Sequence, residues 1–138
     1  MAEYVSNYVL LSEFECSHCR KLPPGLDLSH PFYSELFDSF SILRAEWGKP
    51  INITSGYRCP EHNFDVGGSL LSAHLWGALD CDLLPSEVVN FADMVNDLTP
   101  DLRMGVYTVA GSFVHIDTGY IISPRVSASH RRGKRWTG

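Results

Sequence analysis

His74, Asp80, Cys81 and Asp82 crowd into the stretch SAHLWGALDCDL, residues 72–83, and His115 stands with Asp117 in FVHIDTG, residues 113–119. Imidazole, carboxylate and thiolate are all zinc donors, and a hydrolytic zinc takes three protein ligands while keeping a fourth position for water. Water held there ionises near neutral pH and can attack a carbonyl. A lone histidine is more often structural than a ligand. His74 and His115 each follow a small or β-branched residue beside a strand pattern, and each has an aspartate nearby. His18, His30, His62 and His130 have no comparable setting.

Strand geometry bears on the third donor. Side chains alternate faces along a strand, so Ala78, Asp80 and Asp82 share one side while Leu79, Cys81 and Leu83 form an apolar other side. On that reading Cys81 is a buried small hydrophobe, the usual place of a free cysteine. Asp82 lies about 7 Å further along the strand than Asp80. Asp80 is therefore favoured, with Cys81 and Asp82 as the alternatives.

These residues need elements to hold them. Residues 1–28 read as extended and irregular, with a turn at Pro23-Pro24-Gly25. A helix starts near Ser29 with Pro31 in its first turn; Leu36, Phe37, Phe40, Leu43 and Trp47 recur at helical spacing before Gly48 and Pro50 end it. Residues 51–54 read as a strand, 56–71 as a loop with a Gly67-Gly68 pair, and 78–84 as a second strand. Pro85 and Ser86 open another helix with an apolar face of Val88, Val89, Phe91, Ala92, Val95 and Leu98. Strands around 103–107 and 112–117 follow, parted by Ala110-Gly111. The order predicts a single α+β domain over 1–138, a small, mostly antiparallel sheet with flanking helices.

Composition sets outer bounds. The 138 residues are 44% hydrophobic and 20% charged, which matches one ordinary globular domain. No run of 18 apolar residues exists, so no membrane span is expected, and the N-terminus has neither the basic start nor the apolar centre of a signal peptide. The net charge is −5, yet Arg125, Arg131, Arg132, Lys134 and Arg135 form a basic tail over about 125–138. That tail reads first as a fraying terminus, and otherwise as a contact for an anionic partner such as wall polymer. No nucleic-acid partner is expected, and a monomer is. Cys16-Ser-His-Cys19 has ligand or redox spacing, but no second CxxC follows. Cys59 and His18 could complete a structural zinc site with it only if the fold gathers them; a disulfide is the other alternative, and free reduced thiols are the expected state.

Four segments taken together, SGYRCPEHN (55–63), VGGSLLSAHLWGALD (66–80), RMGVY (103–107) and FVHIDTG (113–119), resemble the zinc D-Ala-D-Ala carboxypeptidases and murein endopeptidases of the hedgehog/DD-peptidase superfamily, and most of all a phage-endolysin-like subgroup. The likeness runs over roughly residues 10–136, including Arg135-Trp136. It implies a hedgehog/DD-peptidase-like fold and one zinc held by His74, an aspartate and His115. The family's aspartate usually comes seven residues after its histidine, where this chain has Cys81. Deleting one residue between Gly77 and Ala78 instead aligns Asp80, in agreement with the two-faced strand.

The resemblance also suggests roles around the metal. Relatives often carry an acid three residues before the last histidine, and here that position is Ser112, which cannot do a carboxylate's proton work. Asp117 shares a strand side with His115 and either transfers protons or orients that histidine. Arg58 is expected to bind a substrate carboxylate or a charged oxygen, or else to brace its loop. Ser72 is expected to bind substrate, or else to cap its turn. The activity implied is a zinc peptidase acting on peptidoglycan stem peptides or cross-links, a phage lysis or virion enzyme found in the producing cell's cytoplasm or the virion. The alternative is a non-catalytic zinc module of the virion or for wall binding.

Overall fold

Residues 3–69, 71–122 and 130–138 are described by the structure, a computed structural model. A hairpin of β1 (Tyr4–Ser6) and β2 (Val9–Leu10) leads into one helical turn, α1 (Leu11–Phe14), where sequence alone suggested irregular chain. Glu13 explains why this turn forms and where it docks. Its carboxylate accepts the Leu10 N–H at 3.0 Å and reaches across to the Ile53 N–H at 2.8 Å. Phe14 is completely buried beneath it.

Helix α2 (Pro31–Trp47) begins two residues later than its sequence pattern suggested, with Pro31 in the first turn, where no N–H is needed. His30 caps it, its Nδ1 accepting the Phe32 N–H at 3.1 Å, and Gly48 at φ 76° stops it. Phe32, Leu36, Phe37, Phe40 and Leu43 are its buried stripe. Strand β3 (Asn52–Ser55) follows. The loop expected over 56–71 contains a short helix, α3 (Pro60–Asp65), capped by Cys59. After a 3₁₀ turn at Ala73–Leu75 comes β4 (Leu79–Asp82), shorter than expected. Pro85–Glu87 form a separate 3₁₀ turn before α4 (Val88–Leu98), which buries Val88, Phe91 and Val95. Val89 and Leu98, expected on the apolar face, are exposed.

β5 (Arg103–Tyr107), β6 (Phe113–Asp117) and β7 (Arg135–Thr137) complete a five-stranded sheet in the order β3-β4-β6-β5-β7. Three pairings are antiparallel and β5–β7 is parallel, the mostly antiparallel α+β arrangement expected. Residues 135–137 are therefore sheet where a frayed basic tail was anticipated; residues 125–129 of that segment lie outside the described part. Arg135 fastens the strand by donating to Asn96 Oδ1 at 2.8 Å and to the Leu102 carbonyl. One sheet face packs Leu79, Cys81, Met104, Val114 and Ile116 against α2 and α4. Side chains alternate, so the opposite face carries Asp80, Arg103, His115 and Asp117. Among the described residues no helix is long and apolar enough to cross a membrane.

Candidate metal centre

His74 reaches the sheet from the turn that precedes β4. Ser72 caps that turn, its hydroxyl accepting the His74 N–H at 3.3 Å. The Arg58 N–H donates to the His74 carbonyl at 2.7 Å, and His74 Nδ1 lies 2.7 Å from the Gly56 carbonyl. A ring nitrogen facing a carbonyl must carry the proton, so Nε2 presents its lone pair. Gly77 then turns the chain into β4 at φ 136°, where a Cβ would come within 2.6 Å of the Phe14 ring.

The sheet register supplies the other members. Asp80 on β4 and Gly105 on β5 both pair with His115 on β6, and Gly105 also pairs with Trp136 on β7. One row across four strands thus reads Asp80, His115, Gly105, Trp136. Without a side chain at 105, the Trp136 indole lies flat over the backbone; a Cβ there would meet the ring at 2.4 Å. The indole sits 5.4 Å from the His115 ring and donates to the Tyr107 hydroxyl at 2.6 Å. The Arg103 guanidinium covers the indole at 4.8 Å.

Donor atoms of His74, Asp80 and His115 converge, all within 4.8 Å of one another. Asp80 Oδ1 is 3.2 Å from His74 Nε2 and 2.8 Å from His115 Nδ1, and the two nitrogens are 3.2 Å apart. Behind His115, Nε2 faces Asp117 Oδ2 at 2.6 Å. Asp117 is fully buried, accepts twice from Arg103 Nη1 at 2.8 and 2.7 Å, and takes the Gly119 N–H at 2.8 Å. Both histidines therefore use their outer nitrogen as a donor and turn the inner one toward a carboxylate. Two inner lone pairs beside a carboxylate repel unless a cation lies between them, so this donor set fits a zinc ion.

The electrostatics agree. Burial alone would depress His115, but hydrogen bonds to Asp117 and Asp80 and their charges lift it to about 9, so a proton serves where a metal is absent. Burial pushes Asp80 up, and the histidine contacts override it and hold the carboxyl well below the usual range. Asp117 is likewise raised by burial but brought down to about 2 by His115, Arg103 and the Gly119 amide. Cys81 is fully buried on the other sheet face, and burial drives its thiol well up. Asp82 is exposed at the end of β4.

A cleft of ≈ 460 Å³ opens over these residues. Arg58 lines it, half-buried, with Nη1 donating to Asn63 Oδ1 at 2.9 Å. Ser72, Tyr107, Lys134 and Trp136 line it too. So does His130, which is buried there although its sequence context pointed to nothing. Ser112 is elsewhere, its hydroxyl donating to the Leu83 carbonyl at 2.5 Å. Trp136 was marked only by the family likeness and His130 by nothing, because the pairing of β7 with β5 is what carries that segment to the site.

The fold also gathers a second set of donors. Cys16, Cys19 and Cys59 hold their sulfurs within 4.8 Å of one another, and all four cysteines are free thiols. Cys16 is fully buried, which works against its ionisation, but N–H donors from Cys59, Cys19 and His18 bring it to about 7.

A family model described as Peptidase M15 matches residues 7–117. No curated protein matches, and no solved structure does.

Proposed function

The chain belongs to the peptidase M15 family, and from that premise we propose that it is a zinc metallopeptidase hydrolysing amide bonds in peptidoglycan stem peptides or cross-links. The observation that carries the reading is the convergence of His74 Nε2, Asp80 Oδ1 and His115 Nδ1, with each histidine's outer nitrogen already engaged. His74, Asp80 and His115 would hold the metal. Zinc bound there supplies a Lewis acid and lowers the pKa of water to near neutrality.

The remaining groups position and neutralise. Asp117, clamped by Arg103 and the Gly119 amide, keeps the His115 Nε2 proton and so aims Nδ1 inward. That is the orienting role, the second of the two the sequence left open. Arg58 offers its guanidinium to a substrate carboxylate or to the oxygen that gains charge as the amide is attacked. Ser72 lines the substrate path while holding its turn. Among the described residues, Asp80 and Asp117 are the cleft's carboxylates and both are engaged. Proton transfer to the leaving amine then falls to His130, which lines the cleft and whose imidazole has both a donor and an acceptor nitrogen. The likeness to endolysin peptidases supports a phage lysis or virion role, with the protein in the producing cell's cytoplasm or in the virion.

Digestion of purified murein, with and without chelator, tests this, and mass spectrometry of the released muropeptides identifies the bond. Product formation that chelation stops and zinc restores is the expected result. The competing reading, a zinc module that binds wall without cutting it, draws on Ser112: its hydroxyl is tied to Leu83, where relatives carry an acid. Zinc-replete protein that sediments with murein but releases no muropeptide decides for that reading.

A further inference from the structure

We propose that Cys16, Cys19, Cys59 and His62 form a second zinc site, structural in role and separate from the His74–Asp80–His115 centre. Three thiolates on one tetrahedral zinc, with bonds of about 2.3 Å, stand roughly 3.8 Å apart. The three sulfurs already lie within 4.8 Å of one another, so closure on a metal needs shifts of about 1 Å or less.

The backbone around them is shaped for thiolate. The Cys59 N–H donates to Cys16 Sγ at 3.4 Å, and the His62 N–H donates to Cys59 Sγ at 3.4 Å. The Cys16–Cys19 loop is closed by Arg20 N–H to the Cys16 carbonyl at 2.8 Å and Cys16 N–H to the Lys21 carbonyl at 2.9 Å. Closing it puts Arg20 at φ 59°, the one non-glycine residue with positive φ among those described. A left-handed non-glycine residue costs about 1–2 kcal/mol. Such a knuckle, with N–H groups aimed at sulfur, is what a metal-thiolate centre needs to offset its negative charge.

Spacing selects the fourth donor. Cys16-x-x-Cys19 is answered by Cys59-x-x-His62, so the second half of the motif is a cysteine–histidine pair. The His62 ring stacks on His18 with centroids 5.5 Å apart, and its Nε2 lies 3.5 Å from Ser17 Oγ, over the loop between the knuckle cysteines. The His62 nitrogens lie outside the trio of gathered sulfurs, so the proposed ligation requires the side chain to turn toward them. Zinc fits the set because thiolate and imidazole in tetrahedral array are its preferred structural donors. Binding involves no oxidation: the thiol protons pass to solvent as the Zn–S bonds form.

The site would fasten the chain near Cys16 to the loop that orients His74. Tyr57 N–H bonds the Phe14 carbonyl at 2.7 Å, and Gly56 receives His74 Nδ1. A metal beside these residues locks both ends of that loop.

Cobalt loading of wild-type and His115→Ala protein tests the proposal, because His115→Ala removes the other centre only. A thiolate-to-cobalt charge-transfer band should appear in both proteins and vanish in Cys16→Ser and Cys59→Ser. His62→Ala should weaken it, and His18→Ala should leave it unchanged. Native mass spectrometry of zinc-loaded His115→Ala should retain one zinc per chain. Should a cysteine variant fail to fold, the wild-type and His115→Ala measurements still decide. Absence of the band from reduced, folded, cobalt-loaded protein overturns the site, as does a native mass two hydrogens lower, which signifies a disulfide. A band lost in His18→Ala but not in His62→Ala overturns the choice of His62.

Discussion

Asp80 Oδ1 lies 2.8 Å from His115 Nδ1 because β4 and β6 pair these two residues directly across the sheet. Opposed residues in an antiparallel ladder hold their Cβ atoms about 5 Å apart, close enough for one metal to bridge the side chains. Moving the donor by one position in β4 would put it on the opposite, apolar face.

The choice of Asp80 follows from that register. Asp80→Ala should abolish zinc binding at this centre and murein hydrolysis together, while Asp82→Asn should keep both. Cys81→Ser should also keep both but lower stability by about 1–3 kcal/mol, the cost of burying a hydroxyl among apolar groups. Metal analysis and thermal melts of the three variants check this; zinc retained in Asp80→Ala and lost in Cys81→Ser would reverse the assignment.

Asp117→Asn separates orientation from proton transfer. The amide oxygen can keep one contact, but the charge opposite Arg103 is gone and His115 loses its fixed tautomer. Zinc affinity should fall about 10–100-fold, and stability should drop by about 3–5 kcal/mol because Arg103 stays buried and uncompensated. Unchanged zinc affinity with a turnover loss of ~100-fold would instead make Asp117 the proton-transfer group.

Protonation predicts a stronger pH dependence of stability without metal than with it. In the metal-free protein His115 is raised from 6.5 to about 9, so its contribution to stability is complete below about pH 6.5 and disappears as pH rises through 9. Asp80 and Asp117 are depressed below 3.8, so theirs is present above that value and lost as pH falls. Chelated protein should therefore melt at a lower temperature at about pH 10 than at about pH 6, with zinc-loaded protein losing less over that interval. Zinc affinity should rise with pH until His115 has given up its proton near 9. A flat melting temperature for the chelated protein across this range contradicts the arrangement.

The β7 strand should matter to chemistry. Gly105→Ala puts a methyl where the Trp136 indole lies and should cost about 1–3 kcal/mol. Turnover of a small soluble muropeptide should fall with it, since Trp136 packs beside His115. Removing residues 130–138 should reduce that turnover further. Loss of binding to sacculi alone, with soluble-substrate turnover intact, would return this segment to the role of a detached basic tail.

His130→Ala should retain zinc and fold while losing turnover by ~100-fold or more, read as kcat on a soluble muropeptide. Full activity in this variant removes His130 from the proton path.

Local chemistry in the chain was enough to mark several parts of the protein. Alternation along Leu79–Asp82 separates the core-facing Cys81 from the site-facing Asp80, because strand side chains alternate whatever the partner strand is. Pro31 and Gly48 bound α2 through their own backbone preferences, and the apolar spacing between them identifies the buried face. Tertiary structure decided the rest. Whether Asp117 faces the cleft or supports His115 depends on Arg103 and Gly119, which reach it only through the β5–β6 register and the turn beyond. The basic residues near the C-terminus looked like a tail because three residues of strand carry almost no periodic signal. Arg135 and the two residues after it become part of the sheet only because β5 has an open edge and Gly105 leaves room for an indole. The cysteines met for the same reason: Cys16 and Cys59 are far apart in the chain, and the docking of α1 beside β3 is what brings them into contact.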